Sequence, residues 1–200
     1  LRAARITGFR LIYLLSIMSK IVFITGATSG FGEACALRFA EAGYDLIING
    51  RRKERLERLK KDIEEKFSVR VLCLPFDVSK RNEVFKAIAE IPGNWREIDV
   101  LINNAGLALG RDFFDEADMD EWDTMLDTNV KGLLYVSNAV LPFMISRNKG
   151  HIINLGSVAA KEVYERGNVY CASKFAVEAI SRSMRIDMLR HNIKVTAIHP

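Results

Sequence analysis

Lys20-Ile21-Val22-Phe23-Ile24-Thr25, running straight into Gly26-Ala27-Thr28-Ser29-Gly30-Phe31-Gly32, is the stretch on which the fold turns. The first six residues are mostly apolar and β-branched, as in a strand buried on both faces of a parallel sheet. Beyond the glycines, Ala34, Leu37, Phe39 and Ala40 recur at helical spacing. A glycine loop between a strand and a helix is the context of a dinucleotide-binding fingerprint. Glycines let the backbone turn tightly and approach a pyrophosphate. The free N–H groups of the helix start, at the positive end of its dipole, receive the negative charge. Gly26, Thr28, Ser29, Gly30, Phe31 and Gly32 are therefore candidate cofactor contacts. The spacing is Gly-x-x-x-Gly-x-Gly rather than the commoner Gly-x-Gly-x-x-Gly, and a plain tight turn is the alternative.

The second strand, Asp45-Leu46-Ile47-Ile48-Asn49, bears on which dinucleotide. NAD enzymes usually offer a carboxylate at this strand end to the ribose 2′-hydroxyl, whereas NADP enzymes supply arginine to the 2′-phosphate. Here the chain reads Asn49-Gly50-Arg51-Arg52, with no carboxylate until Glu54. A guanidinium makes two charge-assisted bonds to a phosphate at once, so Arg51 and Arg52 point to NADP. The alternative is that they merely begin a solvated helix, in which Glu54 with Arg58 and Glu57 with Lys61 form i,i+4 pairs.

Residues 70–74 read as a third strand, closed by Pro75-Phe76-Asp77-Val78. Asp77, with Val78, sits where an adenine amino group is capped; the start of a helix cap at Ser79 has the same sequence. A helix over 80–91 stops at Pro92-Gly93. A fourth strand over 99–102 leads into Asn103-Asn104-Ala105-Gly106. Asn104, Ala105 and Gly106 either lie against the cofactor ribose, with the amide bonding its own backbone, or form a structural turn. The apolar spacing over 121–147 predicts one long helix bent at Pro142. A strand over 151–155, a helix over 170–189 and a strand over 194–198 complete six βα-type units. The class is α/β, a Rossmann-like doubly wound parallel sheet in a single domain.

Chemistry concentrates late in the chain. Tyr170 and Lys174 lie at i and i+4 on one helical face. A tyrosine titrates near about 10 when unperturbed, and an ammonium held beside it stabilises the phenolate. Tyr170 is thus a candidate proton shuttle, although an isolated Tyr-x-x-x-Lys is more often a buried tyrosine beside a surface lysine. Ser157 follows Ile152-Ile153-Asn154-Leu155 at a strand's C-terminal end, where open α/β sheets place ligands, and it can donate to a substrate oxygen. Asn129 lies among apolar neighbours, where an unpartnered amide costs about 1–3 kcal/mol. It holds a water or backbone group of functional value, or a neighbouring carbonyl for packing.

Composition narrows the classes. With 200 residues, 49% of them hydrophobic, the chain can bury one substantial core. The formal charge is +4, but Arg2, Arg5 and Arg10 precede Met18 with no acidic residue among them. Without those three the charge is +1, which gives no reason to expect nucleic acid as a partner. Cys35, Cys73 and Cys171 form no CxxC or Cys/His cluster, so no metal is expected, and a reduced cytoplasmic compartment fits. Residues 11–18 are apolar but far short of the roughly 20 needed to span a bilayer. Residues 1–18 are read as a leader or non-native extension, with an amphipathic membrane tether as the alternative. Membrane association is not expected.

The glycine loop at 26–32, Asn103-Asn104-Ala105-Gly106, Asn129, Ser157 and Tyr170-x-x-x-Lys174, in this order, resemble the short-chain dehydrogenase/reductases from about Lys20 to Pro200. The stretches at 50–56, 103–110 and 123–129 are similar to those of NADP-dependent 3-hydroxy acid dehydrogenases, which include serine and allo-threonine dehydrogenases. The resemblance implies that Ser157 and Tyr170 bind the substrate oxygen and that Tyr170 takes its proton. It implies that Lys174 holds the nicotinamide ribose and that Asn129 links Lys174 through water to solvent. It also implies a homo-oligomer, dimer or tetramer, paired through the helices at 121–147 and 170–189. Two departures stand out. Lys161-Glu162-Val163-Tyr164-Glu165-Arg166 replaces the small or Trp-Pro-Tyr-like segment usual after the serine. The chain also stops at His199-Pro200, where the family continues into a substrate lid and a final strand, so 19–200 is expected to be an incomplete copy. The expected function is NADP-dependent hydride transfer between the nicotinamide and a secondary or primary alcohol or carbonyl, a small 3-hydroxy acid such as serine or allo-threonine. A carbonyl reductase for a lipid- or steroid-like substrate, and a non-catalytic NADP-binding sensor, are the alternatives.

Overall fold

The computed structural model describes residues 20–200; the leader expected over 1–18 lies outside the described residues. Six strands form one parallel sheet: β1 (Ile21–Ile24), β2 (Asp45–Gly50), β3 (Val71–Pro75), β4 (Ile98–Asn103), β5 (Gly150–Leu155) and β6 (Ile193–Ile198), in the order β3-β2-β1-β4-β5-β6. The helices are α1 (Gly30–Glu41), α2 (Lys53–Lys66), α3 (Arg81–Ala89), α4 (Met119–Leu126), α5 (Leu133–Ile145) and α6 (Asn168–Met188). Strand order reverses at β1, which pairs with β2 on one side and β4 on the other. The crevice beyond the carboxyl ends of such strands is where open α/β sheets take ligands.

Two cores clothe the sheet because successive side chains of a strand point to opposite faces. Phe23, Ile47, Leu101 and Ile152 face one way and pack with Val84 and Ile88 of α3 and with Val136, Val140 and Met144 of α5. Val22, Ile24, Leu46, Ile48 and Ile102 face the other and pack with Ala36 and Ala40 of α1 and with Leu56, Leu59 and Ile63 of α2. All four residues of β1 are buried, as expected of a strand covered on both faces. Among the described residues no helix is long and apolar enough to cross a membrane.

The observed elements differ from the sequence expectation by a residue or two at their ends, with one substantive correction. The helix expected over 121–147 is interrupted not at Pro142, which lies inside α5, but at Asp127–Gly132, where the backbone winds as a π-helix. Such single-turn π segments cluster at functional sites. Gly132 is needed there, since a Cβ on it would stand 2.9 Å from Cγ2 of Val78.

Candidate functional site

Above the carboxyl ends of the central strands lies a cavity of about 550 Å³. Of the residues singled out in the sequence, Gly26, Thr28, Ser29, Gly30, Phe31, Arg51, Arg52, Asp77, Val78, Asn104, Ala105, Gly106, Ser157, Tyr170 and Lys174 all line it. Gly32 and Asn129 are not among the lining residues.

The glycine loop is shaped by contacts across the β1–β4 crevice. Gly26 adopts φ +64°, and a Cβ there would sit 2.9 Å from Cα of Ala105. A Cβ on Gly32 would overlap the carbonyl oxygen of Gly26. Asn104 Nδ2 donates to the carbonyls of Thr25 (2.9 Å) and Gly26 (3.1 Å), so the amide braces the glycine loop instead of its own backbone. Thr25, missed in the sequence, returns the favour: its hydroxyl accepts from the N–H of Asn104 and of Ala105, both at 3.0 Å. Ser29 precedes α1 in extended conformation and makes no side-chain cap. The first N–H groups of α1 are therefore left to a ligand.

At one end of the cavity, Arg51 Nη1 stands 4.0 Å from Asp77 Oδ2, with its side chain 69% exposed. Arg52 Nη2 donates to Thr28 Oγ1 at 3.4 Å. Neither guanidinium is committed to a close ion pair. Asp77 Oδ1 accepts from the N–H (2.9 Å) and hydroxyl (2.8 Å) of Ser79, so this carboxylate builds the turn before α3 as well as lining the cavity. Asn49, another residue the sequence reading passed over, donates to the carbonyls of Leu74 and Phe76, each at 3.0 Å, and holds the β3 turn in place.

At the other end, α6 presents Tyr170 and Lys174 on one face, with Lys174 Nζ 5.8 Å from the tyrosine ring centroid. Lys174 is only 8% exposed, donates to the carbonyl of Leu155 at 2.9 Å, and has its pKa lowered by desolvation. Ser157 follows β5 in extended conformation, and its Oγ accepts the N–H of Ala159 at 3.2 Å. That leaves its hydroxyl hydrogen to donate into the cavity. Asn129, in the π segment, accepts from Leu107 N–H (2.8 Å) and donates to Leu107 carbonyl (2.8 Å) and Ser173 Oγ (3.0 Å). Ser173 Oγ in turn donates to the carbonyl of Tyr170 at 2.7 Å. Both donors of the Asn129 amide are thus committed to the cavity wall and to the turn carrying the tyrosine.

Residues 20–200 match the family model described as short chain dehydrogenase. The NADP-dependent 3-hydroxy acid dehydrogenase YdfG of Salmonella typhi is 48% identical over 180 residues, which are 90% of this chain and 71% of that protein. Sulfoacetaldehyde reductase 2 of Chromohalobacter salexigens is 45% identical over 184 residues, 92% of this chain and 72% of that protein. The solved closed form of a serine dehydrogenase complexed with NADP+ superposes with a TM-score of 0.85 at 44% identity, covering 90% of this chain and 71% of that one.

Proposed function

The chain belongs to the short chain dehydrogenase family, and on that premise we propose that it moves a hydride between NADP and the CH–OH group of a small 3-hydroxy acid such as serine or allo-threonine. It is an NADP-dependent oxidoreductase acting on CH–OH groups. The observation that carries the reading is the single cavity lined by Arg51 and Arg52 at one end and by Ser157, Tyr170 and Lys174 at the other.

The residues present fit the cofactor. The cradle made by Gly26 and Gly32 has no room for a Cβ, α1 begins without a side-chain cap, and both arginines border the cavity. NADP, when bound, supplies the hydride acceptor for alcohol oxidation. In this reading Gly26, Thr28, Ser29, Gly30 and Phe31 take the pyrophosphate region, and Arg51 with Arg52 takes the 2′-phosphate. Asp77 and Val78 take the adenine; Asn104, Ala105 and Gly106 take the ribose. Ser157 donates to the substrate oxygen and Tyr170 accepts its proton. Lys174, buried beside the phenol, would reach the nicotinamide ribose. Asn129 positions Leu107 and the Ser173–Tyr170 turn; a water linking it to Lys174 would have to be held through oxygen, since its N–H groups are used.

A cytoplasmic location and a homo-oligomeric state belong to this proposal, supported by three free thiols and by the family resemblance. The identity to a sulfoacetaldehyde reductase supports a second reading, reduction of a small sulfonated aldehyde. The lipid-substrate alternative hung on residues 1–18, outside the described residues.

The test is full-length protein with NADP and serine, following absorbance of the reduced cofactor. Tyr170→Phe is expected to lower kcat by at least about 10²-fold with NADP still bound. Turnover of sulfoacetaldehyde with reduced cofactor, in preference to the hydroxy acids, would move the assignment to the second reading. Tight NADP binding without turnover of any hydroxy acid would leave the sensor.

A further inference from the structure

Tyr170, Lys174 and Glu178 lie at i, i+4 and i+8, so α6 carries a carboxylate on the same stripe as the phenol and the ammonium. Glu178 does not line the cavity. Its Oε2 lies 2.9 Å from Nε2 of His199, while its Oε1 receives Arg182 Nε at 2.7 Å and Lys161 Nζ at 3.2 Å. Lys161 ends the short turn that Ser157 begins. His199 follows β6, and its Nδ1 stands 3.2 Å from the N–H of Ser157 and 3.0 Å from the carbonyl of the same residue. With Nε2 against the carboxylate, Nδ1 meets the Ser157 backbone in either form of the ring, accepting from its N–H when bare and donating to its carbonyl when it carries a hydrogen.

The ring also packs against the residue before the serine. A Cβ on Gly156 would meet His199 Nδ1 at 2.5 Å and Cε1 at 2.7 Å, so position 156 must be glycine for the imidazole to lie there. Gly156 N–H donates to the carbonyl of Ile198 at 2.7 Å, and the carbonyl of Leu155 receives Lys174. Leu155, Gly156 and Ser157 are therefore held at three successive residues, Leu155 directly by Lys174 of α6 and Ser157 through His199, whose ring meets Glu178 of the same helix.

We propose that His199 and Glu178 are positioning residues for Ser157: the carboxylate of α6 orients the imidazole, and the imidazole fixes the serine backbone, so that hydroxyl and phenol are set by one helix. The proposal rests on the reading that Ser157 donates to the substrate oxygen. Neither residue touches substrate or cofactor in it, and the cofactor-phosphate end of the cavity is untouched. Misplacing a reacting group by about 1 Å costs on the order of 10²-fold in rate, so loss of the buttress is read in kcat.

The experiment is steady-state kinetics and NADP titration on the full-length enzyme with serine, for Ser157→Ala, His199→Phe, the double variant, Glu178→Leu and Glu178→Gln. His199→Phe keeps the ring volume beside Gly156 and removes both nitrogens. It is expected to lower kcat by about 10- to 100-fold with NADP affinity within about threefold of the parent. In the Ser157→Ala background the same change is expected to cost less than about threefold, because coupled residues are non-additive. Glu178→Leu should follow His199→Phe, whereas Glu178→Gln, which retains an acceptor for Nε2–H, should recover most of the loss. If His199→Phe does not fold, the Glu178→Leu and Ser157→Ala pair completes the cycle. Losses that multiply in the double variant, or NADP affinity falling as far as kcat, overturn the positioning role. Ser157→Ala at parental kcat would instead overturn the reading of Ser157 on which it rests.

Discussion

Replacing Asn129 by alanine separates two accounts of that residue, a holder of the cavity wall or a member of a proton relay alone. The amide makes three bonds at 2.8, 2.8 and 3.0 Å, two to the backbone of Leu107 and one to buried Ser173. Losing a partner for a buried polar group costs about 1–3 kcal/mol. Leu107 is only partly buried, so water recovers some of that cost, and Ser173 keeps its bond to the carbonyl of Tyr170. Alanine also favours the helix over asparagine by roughly half a kcal/mol. The net expectation is a loss of about 2–3 kcal/mol, which for a chain of this size is a Tm lower by about 5–10 °C. Urea unfolding with linear extrapolation measures it directly. Because Leu107 and Ala108 line the cavity, NADP affinity should weaken in the same variant. An Asn129→Ala protein with stability within about 0.5 kcal/mol of the parent and unchanged NADP affinity, but with kcat abolished, would refute the structural account.

Two further outcomes follow from the site. Arg51→Ala with Arg52→Ala should weaken NADP by about 10- to 100-fold, at about 1 kcal/mol for each exposed charge-assisted contact, while leaving any NAD activity nearly unchanged; a parallel fall with both cofactors in kinetic comparison would dismiss the 2′-phosphate assignment. Glu178 is held down to about 2 from its ordinary 4.5, first by the Arg182 hydrogen bond and then, against the opposing effect of burial, by Lys161. A depressed carboxyl contributes stability that is complete above about pH 4.5 and lost as the pH falls towards about 2. The stability gap between parent and Glu178→Gln should therefore be smaller near pH 3 than near pH 6 in denaturant titrations, and a pH-independent gap would contradict it.

The strands were legible because β1, β2 and β4 are runs of β-branched and aliphatic residues that strand periodicity and burial both demand. The shape of the glycine loop was legible because it is local: the strand end, the glycines that turn and the helix start are neighbours in sequence. What escaped the sequence joins distant segments. The π segment at Asp127–Gly132 accompanies bonds from Asn129 to Leu107, 22 positions away. Thr25 reaches Asn104 across 79 positions, and His199 reaches Ser157 across 42. A threonine closing a strand and a glycine before a serine look ordinary until the sheet brings their partners alongside. Pro142 drew attention as the strongest local helix breaker, yet the irregularity lies where buried Asn129 bonds Leu107 and Ser173.

Strand order also divides labour within the cleft. The arginines leave β2 and Ser157 follows β5, with β1 and β4 between them, so three interstrand spacings, about 14 Å, part the two. That exceeds the roughly 8 Å over which charge is felt at physiological salt. On the proposed assignment, swapping the coenzyme preference of this scaffold and redesigning its reaction are expected to be separable engineering problems, each addressed on its own half of the cleft.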